Sequence, residues 1–102
     1  SSLMAQINAI ADASGLAIQS VGITQLPIKP AKNKLSFAKG LGTLRLELKL
    51  FGPYAGLKRF LQSMETNIRI MDTENLKLES SGKPDQDLFI STLTVDTYYQ
   101  VK

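Results

Sequence analysis

The sequence has no cysteine, no histidine and no tryptophan. Without cysteine, disulfides and thiolate metal sites are excluded, although no compartment is, because many exported domains also lack it. Without histidine, the commonest general base and the commonest zinc ligand are both gone. Nucleophilic catalysis needs a base beside the nucleophile. A lysine could serve, but no serine here stands in a recognisable elbow or motif. No run approaches the roughly 20 apolar residues of a membrane-spanning helix, and no signal peptide is visible. The chain opens Ser1-Ser2 with no methionine, so we expect a piece of a longer product whose anchoring parts are missing.

What is present is enough for one domain. The chain has 102 residues, of which 43% are hydrophobic, so an ordinary core can form without metal or disulfide staples. The net charge is +3 and the excess is local. Lys29, Lys32, Lys34 and Lys39 lie in one short segment and alone outweigh it. Such a cluster reads as a solvated loop before it reads as a nucleic-acid or lipid contact.

Leu3, Ile7, Ile10, Ala11 and Ser14 recur at helical spacing, and Gly15 follows as a left-handed stop. Leu16 to Ile23 predicts a strand, weakened or bulged at Gly22. Residues 26–42 hold two prolines, four lysines and two glycines without a sustained period, which predicts a long, mobile loop. In the next segment Leu44, Leu46, Leu48 and Leu50 alternate with Arg45, Glu47 and Lys49. Only a period of two segregates those residues, so this is a strand despite the leucines. Gly52-Pro53 breaks it. A helix follows with Tyr54, Leu57, Phe60, Leu61 and Met64 on one side, and Asn67 is expected to stop it in the left-handed conformation. Ile68 and Ile70 open a third strand that continues through Leu76 and Leu78. In an unbroken register Asp72 and Glu74 would face inward, so a bulge is expected between Met71 and Glu74. A turn around Gly82 and Pro84 leads to a last strand from about Leu88 to Val101, with Phe89, Leu93, Val95, Tyr99 and Val101 on one face.

The two halves repeat one pattern, helix, stop, strand, turn, strand. Such an αββαββ chain packs economically as two hairpins whose last strand fills the gap left by the crossover. The expected fold class is α+β, a permuted ferredoxin-like domain. Its four-stranded antiparallel sheet has the order 1-2-4-3, with both helices on one face.

Little in this frame promises chemistry. Asp72 with Glu74, and Asp85 with Asp87, could in principle hold a cation or share a proton. Both pairs fall in a kink or a turn, where aspartate is ordinary turn chemistry. No catalytic, cofactor-binding or metal-binding residue is expected. Lys39-Gly40-Leu41-Gly42-Thr43-Leu44-Arg45-Leu46 has the outline of an RNA-recognition signature. However, Leu41, Thr43 and Leu46 occupy the places of the aromatics that stack on bases. A ferredoxin-like regulatory or nucleic-acid-binding module is therefore the second reading, not the first.

The stretch from Leu48 to Ile70 resembles the PilO family of type IV pilus assembly proteins. Gly52, Tyr54, Leu57, Phe60, Leu61, Glu65, Arg69 and Ile70 fill a pattern of that family, with Met64 for its usual leucine. Leu93-Thr94-Val95-Asp96-Thr97-Tyr98-Tyr99 is similar to its final strand, and Ala13-Ser14-Gly15-Leu16-Ala17-Ile18 to its first helix-to-strand joint. The related type II secretion M protein shares this punctuation. The resemblance implies a periplasmic domain of an inner-membrane protein, anchored by a helix and coiled coil outside this chain. It implies protein partners, either a second copy or a PilN-like protein, and a scaffolding role without catalysis.

The motif residues are expected to be structural. Tyr54, Leu57, Leu61 and Met64 would seal the second helix onto the sheet, and Glu65 and Arg69 would pair across its end. The working surface is expected on the sheet face without helices, where Phe51, Leu88, Ile90 and Tyr98 lack intramolecular partners. The unpaired strands at the sheet edges offer a second route.

Overall fold

Among the described residues of the computed structural model, which are 2–29, 41–68, 71–82 and 85–100, two helices alternate with two pairs of strands. The order is α1 (Leu3–Ser14), β1 (Ala17–Lys29), β2 (Leu41–Gly52), α2 (Tyr54–Asn67), β3 (Met71–Ser80) and β4 (Phe89–Gln100). All pairings are antiparallel and the sheet order is β1-β2-β4-β3. This is the expected permuted ferredoxin-like arrangement.

Each helix is closed by identifiable groups. The Ser2 hydroxyl accepts the Ala5 N–H at 3.1 Å at the start of α1. At its end Gly15 adopts φ 78°, and the N–H groups of Gly15 and Leu16 turn back to the carbonyls of Asp12 and Ala11. Pro53 precedes α2 and brings no side-chain cap. Instead Asp87, from the turn before β4, accepts the Tyr54 N–H at 3.3 Å. At the far end Asn67 does not stop the helix in a left-handed conformation. Its amide donates to the Ser63 carbonyl at 2.8 Å and keeps it helical, and Ile68 leaves in an extended conformation.

The β3–β4 register breaks between Thr73 and Asn75. Glu74 is the extra residue, so Thr73 opposite Val95 and Leu76 opposite Leu93 share one face. That is the bulge required to keep Asp72 out of the core. In β1 the register shifts between Ile18 and Ser20, at Gln19, and again between Leu26 and Lys29, while Gly22 pairs regularly with Glu47. The ordered strands also reach further than the pattern indicated: β1 runs to Lys29 and β2 starts at Leu41. An edge strand tolerates Pro27, whose missing donor can face away from the ladder. The rest of the predicted loop, with Lys32, Lys34 and Lys39, lies outside the described residues.

The core forms on one face of the sheet. Ile7, Ile10 and Ala11 of α1 meet Leu57, Phe60 and Met64 of α2 over Leu46, Leu48, Leu50, Leu93 and Val95. Leu61 is partly buried at the margin of this cluster. The helices are shorter than the strands, about 1.5 Å per residue against about 3.3 Å. The far half of the sheet therefore extends past them. Val21 and Ile23, on the helix-side face of β1, are 37% and 54% exposed although their cross-strand partners Leu48 and Leu46 are buried, because β1 is the edge strand.

Candidate functional site

Alternation along β2 sends Leu46, Leu48 and Leu50 into the core and Arg45, Glu47, Lys49 and Phe51 to the other face. Across the β2–β4 ladder these four stand opposite Asp96, Thr94, Thr92 and Ile90. No helix of the described chain covers them. The face divides into an apolar end and a polar end.

Phe51 and Ile90 form the apolar end as direct cross-strand partners, with Ala17 on the far side of Phe51. Both are half-buried. Leu88 lies just ahead of β4 and not within it, and its carbonyl accepts the Ser81 N–H at 2.9 Å. Tyr98 is on the same face but eight residues further along β4, about 27 Å away at strand spacing. The four expected interface residues are thus three neighbours and one outlier.

The polar end is built around a pair that the sequence pattern did not single out. Arg45 Nε and Nη2 donate to the two carboxylate oxygens of Asp96, each at 2.8 Å. The Asp96 side chain is only 6% exposed although no helix lies over it. The two hydrogen bonds from Arg45 hold its carboxyl below the usual carboxylate range, against the opposing effect of burial. The same contact raises the Arg45 guanidinium. Beside it the Tyr98 hydroxyl donates to Asp72 at 2.7 Å. That hydrogen bond, with burial and the nearby carboxylates, pushes the phenol up to about 12. Leu26, Pro27, Thr43 and Glu74 complete a groove of about 370 Å³ over Arg45, Asp96 and Tyr98. The signal for this site was that Arg45 and Asp96 each alternate away from the apolar face of their own strand, which becomes informative only once β2 and β4 are known to be neighbours.

The acidic pairs separate. Asp72 is taken by Tyr98, Asp87 caps α2 and Asp85 is exposed in the turn. Among the described residues, no three carboxylates converge on a point where a metal ion could sit. Leu46, at a place where an RNA-binding strand would show an aromatic, is 1% exposed beneath the helices.

The motif residues divide between core and surface. Leu57 and Phe60 are buried, and Leu61 is partly so. Gly52 is buried, and a side chain there would meet Leu16 Cδ2 at 2.5 Å. Tyr54 departs from expectation. It is 48% exposed, set edge-on to Phe89 at 6.3 Å between centroids, with the Lys58 ammonium 5.5 Å from its ring. As the first residue of α2 it lies at the rim, so Phe60 takes the sealing position instead. Glu65 is exposed, and Arg69 lies outside the described residues.

Fold and site together define a class: a permuted ferredoxin-like domain whose distinctive feature is an uncovered sheet face with a fixed ion pair. Among solved structures the chain is similar to the type 4 fimbrial biogenesis protein PilO from Pseudomonas aeruginosa. The TM-score is 0.75 at 17% identity, over 97% of this chain and 67% of that one. It is similar also to the core region of PilO from the type IV pilus system of the same organism. There the TM-score is 0.73 at 17% identity, over 100% of this chain and 95% of that one. A third similar structure, from Akkermansia muciniphila, has a TM-score of 0.67 at 15% identity, over 94% and 48%. No family profile and no curated protein matches the chain. The chain has the PilO fold.

Proposed function

We propose that this chain is a non-catalytic interaction domain of a type IV pilus or related secretion assembly complex, a PilO-like periplasmic domain of an inner-membrane protein. The observation that carries the reading is the superposition on the PilO core, which extends over the whole of this chain and nearly the whole of that core. The matching motif around Gly52, Leu57, Phe60 and Leu61 supports it independently, because it comes from sequence and not from shape. The site agrees in kind. It offers an apolar pair and a charged groove on an open face, which suits contact with another protein chain better than turnover of a small substrate.

The partner in this reading is a PilN-like protein or a second copy. The test is copurification of the full-length product with the PilN-like protein of its own genome, before and after Ile90→Asp. Recovery of the partner by the parent and loss by the variant, with an unchanged circular-dichroism spectrum, is expected. Failure of the parent to recover any PilN-like protein, together with normal pili in a strain lacking this gene, would overturn the reading.

A further inference from the structure

The two edges of the sheet are defended differently. β3 carries Asp72, Glu74, Lys77 and Glu79 within ten residues, and charge on an edge strand discourages pairing with another chain. β1 occupies the opposite edge, and from Ala17 to Ile28 it contains no charged residue. It also exposes two β-branched side chains, Val21 and Ile23, at the sheet edge. An uncharged edge of this length with apolar side chains on show is what natural sheets avoid unless something pairs with it.

The sequence of that edge is self-complementary. Reading outward from Gly22, Val21 matches Ile23 and Ser20 matches Thr24. The register with β2 places these matched residues on matching faces. Val21 and Ile23 lie opposite Leu48 and Leu46, on the helix side, while Ser20 and Thr24 lie opposite Lys49 and Arg45, on the open side. The stretch from Ser20 to Leu26 is regular, and the bulge at Gln19 ends it.

We infer that the β1 edge pairs antiparallel with the β1 edge of a second copy of this chain, about a two-fold axis through Gly22. In that register each Val21 meets the other copy's Ile23, closing a four-residue apolar cluster on the helix side. Each Ser20 meets a Thr24 on the open side, a pairing of hydroxyls that stabilises antiparallel ladders. The two sheets join into one of eight strands, and the contact is isologous, so it closes as a dimer and does not propagate. Gly22 at the axis lets the two backbones approach with no side chain between them. This rests on the reading of the domain as a protein-pairing module and adds which edge serves a second copy.

The absence of cysteine makes the test direct. A cysteine at Gly22 would meet only Glu47 Cβ at 3.8 Å, an ordinary contact, so the fold tolerates it. Facing residues of an antiparallel pair lie within disulfide reach. Gly22→Cys should give a disulfide-linked dimer on mild oxidation, severalfold above Ser80→Cys on the β3 edge. Adding Val21→Lys and Ile23→Lys to Gly22→Cys should abolish it, because lysines then face lysines, with the circular-dichroism spectrum unchanged. Cross-linking no greater at Gly22 than at Ser80, or insensitive to the added lysines, overturns the inference. If the full-length product still copurifies with its PilN-like partner in that case, self-pairing through β1 falls while the pilus-complex reading stands.

Discussion

Arg45 and Asp96 are joined by two parallel hydrogen bonds of 2.8 Å across the central β2–β4 ladder, on the face that no helix covers. Fifty-one residues separate them in the chain. The pair ties together the two strands that belong to different halves of the αββαββ repeat.

The ion pair predicts the acid response. Asp96 is held below its ordinary pKa in the fold, so the unfolded chain takes up its proton first as pH falls. The stability it contributes is present above the unfolded carboxylate range and is lost as pH falls through the lower folded value. Melting temperature should drop on acidification from pH 7 to about pH 3, as paired carboxylates generally produce. Asp96→Asn should melt lower at neutral pH and show a shallower acid dependence. A variant whose acid profile parallels the parent's would dissociate the pair from stability.

Tyr98 predicts the alkaline side. Its proton is retained up to about 12 by the hydrogen bond to Asp72, above the unfolded value of about 10. The folded state therefore binds the proton more tightly, and the stability this gives is present below the unfolded value and lost as pH rises through the folded one. Spectrophotometric titration of the three tyrosines should show one late phenol, absent in Tyr98→Phe. Three phenols that ionise together would contradict the hydrogen bond.

Core and rim should respond differently to truncation. Leu48→Ala should cost about 2–5 kcal/mol and Phe60→Ala about 3–5 kcal/mol, because both leave cavities at fully buried sites. Leu61→Ala should cost less than Leu48→Ala, since Leu61 lies at the margin. Tyr54→Ala should fall within about 1.5 kcal/mol of the parent, the scale of an aromatic edge contact. Urea denaturation of the four variants gives this ranking, and a Tyr54 loss equal to that of Leu48 would invert it.

Gly56 marks where α2 passes closest to the end of α1. A methyl group there would stand 2.7 Å from the Ser14 carbonyl oxygen, the same oxygen that accepts a hydrogen bond from Arg59 at 3.2 Å. Because the obstacle is backbone, Gly56→Ala should destabilise by about 1–3 kcal/mol, despite the better helix propensity of alanine. Thermal unfolding at or above the parent's melting temperature would show that the helices can separate freely.

What the sequence determined by itself follows from period and punctuation. The alternation of Leu44 to Leu50 with Arg45, Glu47 and Lys49 requires a strand with one dry face. The inward placement that Asp72 would otherwise suffer requires the bulge found at Glu74. Four strands and two helices in repeating order then leave few packings, and the 1-2-4-3 sheet is the one formed. These are local or near-local constraints, and they survive without knowledge of neighbours. Tertiary structure decided the rest. Whether Tyr54 or Phe60 seals α2 depends on how far the helix start overhangs the sheet, which helical spacing does not specify. Asn67 stays helical because the Ser63 carbonyl is within reach of its amide, an outcome propensity leaves open. The partnership of Arg45 with Asp96 exists only because β4 inserts beside β2. That insertion brings two opposite charges from distant parts of the chain to the same rung, where a buried carboxylate requires a partner.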